Sequence, residues 1–328
     1  MKKKATALAH PNIAFIKYWG NQNQELRIPQ NGSLSMNLSG LEARTTVHFD
    51  SDLHADQFTL NDEPMDGAGL ARVTKMLDRV RRLAGINQYA SVSSQNNFPT
   101  GSGIASSAAA FAALALAAST AAGLTLSEKE TSILARTGSG SASRSVPGGF
   151  VEWQAGSDHE SSYAFSIAPP EHWDLVDLVA VVSQEHKATG STAGHTLADT
   201  SPFQSARVQD APRRIDICRT ALLEKDFDAF AEIVELDSNM MHAVMQTSSP
   251  RLNYWRPATL AIMHAVQELR RGGIPVCYTI DAGPNVHVLC PKEFSDEVSE
   301  QLINISGVIK ILAASPGGPA KLIPEGGN

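Results

Sequence analysis

Over the first sixty residues, apolar and polar positions trade places in short runs, IAFIKYW, SLSMNLSG, RTTVHFDSD and QFTLNDEP, separated by Asn, Gly and Pro clusters. Alternation of that length between turn residues predicts strands. From 69 to 83 the period changes: Leu70, Val73, Leu77 and Val80 recur at three- and four-residue steps with Arg and Lys between them, which predicts an amphipathic helix. YASVSS then returns to strand texture. The run from Gly103 to Ala122 is apolar on every side but built mostly of alanine and serine, too weakly apolar for a membrane span, and predicts a buried helix. Ser127-Glu128-Lys129-Glu130 has capping-box form and predicts a helix to about Arg136. Phe150 to Trp153, Tyr163 to Ile167 and Leu175 to Val182 read as strands. Helical periodicity fills 204 to 224, 226 to 246 and 257 to 271, Gly272-Gly273 stops the last, and VCYTIDAGPNVHVLC reads as a hairpin about Gly283-Pro284.

Strands and helices mix without strict alternation, so the class expected is α+β. With 328 residues two domains are expected, and the change of texture near Ser183 divides them into 1–183 and 184–328.

The net charge of −7 argues against nucleic acid or an anionic membrane as partner, while permitting a local cationic pocket. Cys218, Cys277 and Cys290 have no metal-ligand spacing and read as buried small residues of a cytoplasmic protein. The basic start MKKKATALAHPNIAF breaks its apolar run at His10, Pro11 and Asn12, so no secretion signal is expected. No histidine pair has ligand spacing, and a protein-built zinc site is not expected.

PTGSGIASSAAA places glycines and serines where a helix begins, leaving backbone N–H groups open to a close phosphate. A tight strand-to-helix turn would use the same residues for packing, and the stretch is neither a Walker loop nor a full dinucleotide fingerprint. Lys17 lies in the apolar run IAFIKYW and Asp281 ends the apolar run VCYTID; buried charges need partners. Equally, the Lys17 stem can lie on a strand with its ammonium in water, and Asp281 can cap a turn.

Pro99 to Ala108 resembles the phosphate-binding signature of the GHMP kinase superfamily. NNFPTGSGIASSAAAFAAL is closer still to its mevalonate diphosphate and phosphomevalonate decarboxylase branch. HPNIAFIKYWGN, RTGSGSASRSVPGGFVEW and DAGPNVHVL follow that branch's order. The resemblance implies a GHMP kinase fold, with a first subdomain like domain 2 of ribosomal protein S5 and a ferredoxin-like α/β sandwich second. It implies a homodimer acting on a small molecule, with ATP and Mg2+, the metal held mainly by phosphates. It implies phosphorylation of the 3-hydroxyl of a phosphorylated mevalonate, then loss of phosphate and CO2 to give an isopentenyl product of isoprenoid biosynthesis.

By the same resemblance Asp281, Lys17, Arg144 and Ser191 are catalytic. Tyr18, Trp19, Asn21, Arg72, Ser139, Gly140, Ser141 and Thr192 bind substrate, and Asn96, Pro99, Gly101, Ser102, Gly103, Ala105, Ser106 and Ser107 bind ATP. His195, where many relatives have Met, is expected to be a surface substitution. Diphosphate-using relatives carry lysine where this chain has Asn21, and a missing cation favours the monophosphate unless Arg72 or another cation replaces it. A small-molecule kinase such as a mevalonate kinase, and a catalytically silent nucleotide binder, are the other readings; the retained Arg144 speaks against the first, and the intact acid and cradle against the second.

Overall fold

The computed structural model describes residues 3–98, 106–185 and 189–324. A first sheet runs in the order Lys321–Ile323, Lys4–Ala9, Ala43–Asp50, Tyr89–Asn96, Gln57–Leu60 and Glu63–Pro64. Its strand Ala43–Asp50 alternates buried and half-buried positions, the pattern of a sheet with one face on a core. Three helices pack there: α1 (Gly67–Ala84), α2 (Ser106–Ala121) and α3 (Glu128–Gly138). α2 is buried almost all round, because alanines let its backbone lie close against the sheet without a bulky interface. α3 begins with the expected capping box, Ser127 Oγ accepting from Glu130 N–H and the Glu130 carboxylate accepting from Ser127 N–H.

A second sheet orders Tyr163–Ala168, Phe150–Gln154, Ser33–Asn37 and Asn12–Ile16, and a third orders Cys277–Thr279, Val286–Pro291, Leu175–Val181 and Lys310–Ala314. Five further helices follow: α4 (Ser191–Leu197), α5 (Gln204–Glu224), α6 (Phe227–Thr247), α7 (Pro257–Arg271) and α8 (Ser295–Ile303). α7 and α8 cover one face of the third sheet. One continuous core joins Ile13, Phe15, Leu34 and Met36 of the second sheet to Cys218 and Leu222 of α5 and to Phe230 and Val234 of α6.

The mixed α+β character expected from the sequence is present, and the expected strands and helices up to the 277–291 hairpin are all found. The division after 183 falls just beyond Leu175–Val181, which already pairs within the third sheet, and Lys321–Ile323 returns to pair with Thr6, Ala7 and Leu8 of the first. Cys218, Cys277 and Cys290 are buried thiols. Among the described residues no helix is long and apolar enough to cross a membrane.

Candidate active site

Lys17 follows immediately on strand Asn12–Ile16 and is 1% exposed. Its backbone is gripped from both sides: Asp237 of α6 accepts from Lys17 N–H at 2.6 Å, while Arg207 of α5 and Asn31 donate to Lys17 C=O at 2.7 and 3.0 Å. Arg214 of α5, wholly buried, donates to the other Asp237 oxygen at 2.7 Å. A buried carboxylate tolerates its desolvation only with such partners. The clamp aims the side chain, and Lys17 Nζ donates to Asp281 Oδ1 at 2.6 Å. Burial pulls the Lys17 ammonium below its ordinary value while the Asp281 charge opposes it. Burial alone would raise the Asp281 carboxyl, but Lys17, His287 and Arg144 together bring it below the usual carboxylate range. Asp281 is therefore an ionised, oriented carboxylate.

Arg144 lies in a buried 3-10 turn, Gly140–Ser145, that follows α3. Its guanidinium donates to Asn12 Oδ1 at 3.0 and 3.2 Å and to Ser33 Oγ at 2.6 Å. Both are neutral acceptors, so its charge has no carboxylate within ion-pair distance among the described residues. Burial brings it down to about 10, which leaves it cationic at neutral pH. Ser107 at the start of α2 and Ser139 after α3 share a hydroxyl contact at 3.1 Å, and Ser141 stands 3.5 Å from Ser139.

These groups converge on a cavity of about 850 Å³ walled by Lys17, Tyr18, Trp19, Arg72, Ser106, Ser107, Ser139, Gly140, Ser141, Arg144, Ser191, Thr192 and Asp281. The sequence-expected acid, both expected cations and both serine clusters therefore meet in one place. Two glycines permit it. A Cβ on Gly140 would come within 2.5 Å of the Tyr18 ring, and one on Gly194 within 2.5 Å of the Trp19 ring. A smaller, apolar cavity of about 180 Å³ adjoins it, walled by Phe58, Leu60, Phe111 and Leu114 and sharing Arg72, Ser106 and Ser107 with the first. Asn96 lines it with an Oδ1 that is buried and has no hydrogen-bond partner among the described residues. Pro99, Gly101, Ser102, Gly103 and Ala105 lie outside the described residues.

One expectation needs correction. His195 is not on the surface: it is 8% exposed, stacks on Tyr18 at 4.1 Å, lies tilted against Trp19 at 4.5 Å, and accepts from Gly20 N–H through Nδ1 at 3.1 Å. The reason is the turn of α4, which carries it beneath two aromatic rings while Thr192 and Ala193 stay exposed. Asn21 does not wall the cavity. Its amide is used internally, Oδ1 accepting from the Tyr18 hydroxyl at 2.5 Å and Nδ2 donating to Gln24 at 2.8 Å. Sequence reading also missed Arg27, Asn12 and Asp237. For Asp237 the available signal was an acid that, with Glu235, Ser238 and His242, falls among the apolar positions α6 buries.

Residues 9–164 match the family model of the diphosphomevalonate decarboxylase-like N-terminal domain, and residues 177–313 that of the mevalonate 5-diphosphate decarboxylase C-terminal domain. The chain is 40% identical over 325 residues to a diphosphomevalonate decarboxylase of Ganoderma lucidum, covering 92% of this chain and 81% of that one. It is 35% identical over 325 residues to a phosphomevalonate decarboxylase of Haloferax volcanii, covering 98% of each. The crystal structure of mevalonate diphosphate decarboxylase from Staphylococcus aureus superposes with a TM-score of 0.93 at 38% identity, covering 99% of both chains. A complex described as MDDEF with MVAPP, AMPPCP and magnesium superposes with a TM-score of 0.92 at 37% identity, covering 98% of both.

Proposed function

The chain belongs to the diphosphomevalonate decarboxylase family, and from that membership we propose that it is an ATP-dependent decarboxylase of a 5-phosphorylated mevalonate. The observation that carries this is the oriented Asp281–Lys17 pair facing, across one cavity, the Arg144 guanidinium, which has no carboxylate within ion-pair distance among the described residues. Asp281 orients the 3-hydroxyl and accepts its proton as the oxygen attacks the terminal phosphoryl group of ATP, and ADP leaves. A carboxylate held this low is a weak base, so short-range orientation and fixed negative charge make up most of its contribution. In the second stage the C3–O bond breaks, with its electron pair leaving on phosphate. The C–C bond to the substrate carboxylate then breaks, and its pair forms the alkene as CO2 departs. Arg144 grips that carboxylate with a planar fork, and Asp281 favours the positive charge developing at C3.

The adjoining apolar cavity suits the flat base of the nucleotide, with Asn96 Oδ1 as an acceptor that has no partner among the described residues. Ser106 and Ser107 then lie between base and acid, at the start of α2 where phosphate oxygens are favoured. Magnesium, carried by ATP, neutralises charge on the transferring phosphoryl group. Ser191 and Thr192 at the start of α4 border the same space and close over the substrate.

The monophosphate is the preferred substrate, because position 21 supplies no charge and its amide is engaged by Tyr18 and Gln24. A homodimer, expected from the resemblance, belongs to the same proposal and is checked by light scattering. The functional test incubates the protein with ATP, magnesium and, in turn, mevalonate, its 5-phosphate and its 5-diphosphate, following ADP and CO2. Matched ADP and CO2 with the 5-phosphate as best substrate is expected. ADP without gas would make the protein a kinase.

A further inference from the structure

Arg27 walls the large cavity, and nothing in the family motifs marks it. It lies in the turn between Asn21–Asn23 and Ile28–Pro29 with φ at +51°, in the left-handed region that a bulky side chain rarely adopts. Such backbone persists where surrounding contacts hold it, and it gathers at functional sites. Here Arg136 donates to Leu26 C=O at 2.8 Å, and Arg27 Nε donates to Thr137 C=O at 3.3 Å. The acid of the same turn, Glu25, pairs outward with Lys75 and Arg79 at 3.9 and 3.6 Å.

Arg27 is thus half-buried with no carboxylate within ion-pair distance among the described residues, and Arg72 on the same wall is in the same condition, bonded only to Gly138 C=O at 3.0 Å and lying over the Phe111 ring. Burial first, then the charge of Arg27, brings the Arg72 guanidinium down to about 10. Two neighbouring guanidiniums without a counter-charge are unfavourable in the empty cavity and become favourable around an anion. Arg27 also acts on the Tyr18 hydroxyl, which bonds Asn21, so it stands at the Tyr18 end of the cavity.

We propose that Arg27 is the cation that receives the substrate's 5-phosphoryl group, with Arg72 beside it. It holds the first phosphoryl group from the turn, while position 21 offers no charge to a second. This rests on the decarboxylase reading above, and the ligand chemistry alone, a phosphoryl group, would also suit ATP.

The test compares wild type with Arg27→Asn, a residue that tolerates the left-handed backbone, and with Arg27→Lys. For Arg27→Asn, KM for mevalonate 5-phosphate should rise about 10–100-fold, while kcat and KM for ATP change less than about threefold, the signature of lost ground-state binding. Arg27→Lys should recover part of the loss. The melting temperature without ligand should be unchanged or higher in Arg27→Asn, and the rise caused by inorganic phosphate in wild type should vanish. A KM shift falling on ATP instead, unchanged KM for both, or a lower ligand-free melting temperature would each overturn the proposal. Failure of wild type to turn over any mevalonate would sink the decarboxylase reading. The phosphate-dependent melting shift would still decide for or against Arg27 as the anion site.

Discussion

Asp281 and Arg144 have different kinds of neighbours, and their replacement should separate binding from chemistry. Asp281→Asn keeps the shape beside Lys17 but removes the charge. ATP affinity should hold while turnover falls by roughly 10²–10⁴-fold, read by ADP release against nucleotide titration. Asn21→Lys restores a cation at the Tyr18 end, and the ratio of kcat/KM for the diphosphate over the monophosphate should rise by about tenfold, the worth of one modest charge contact. His195 gives a pH signature. Burial first, then the charges of Arg27, Arg207 and Arg144, hold its imidazole down at about 3 instead of 6.5. Between those values the unfolded chain binds a proton that the folded chain does not. Stability on this account is intact above 6.5 and falls as pH drops, by at most about 1.4 kcal/mol per pH unit. His195→Met should flatten the fall of urea midpoints below pH 6.5; a residual slope should remain from His242, which burial holds at about 4.

Between α5 and α6, one acid organises several donors. Asp237 meets Lys17 N–H, Arg214 and, at 3.7 Å, Arg207. Asp237→Asn removes from buried Arg207 its one carboxylate partner among the described residues and leaves Arg214 only the half-buried Asp210, and a loss of about 3–5 kcal/mol in urea unfolding is expected. Periodicity revealed α5 and α6 almost to the residue, because each buries a single stripe. It revealed neither the contact between Asp237 and Lys17, 220 positions apart, nor the strand Lys4–Ala9, whose small side chains carry little alternation. Charges set inside apolar runs showed that Lys17 and Asp281 needed partners; that they needed each other came from the motifs. Arg27 was illegible because its meaning lies in a backbone angle and a missing acid, neither of which a string of residues displays. His195 was misread because a seven-residue helix, α4, is too short for its buried side to declare itself.

At the scale of the molecule, the cavity is assembled from both halves of the chain. Lys17, Arg144 and Ser107 come from elements before the third sheet, and Asp281 from the hairpin that forms its edge. The core shared by the second sheet with α5 and α6 keeps the two halves in register, so stability and site geometry are one property here. The first sheet, likewise, is closed at one edge by Lys321–Ile323 lying beside Thr6, Ala7 and Leu8. On the ribosome, which releases the N-terminal portion first, Lys4–Ala9 emerges well before Lys321–Ile323 and must wait with one flank open until that strand has been translated. That edge is where a nascent or truncated chain should be captured by chaperones or by its own neighbours on a polysome.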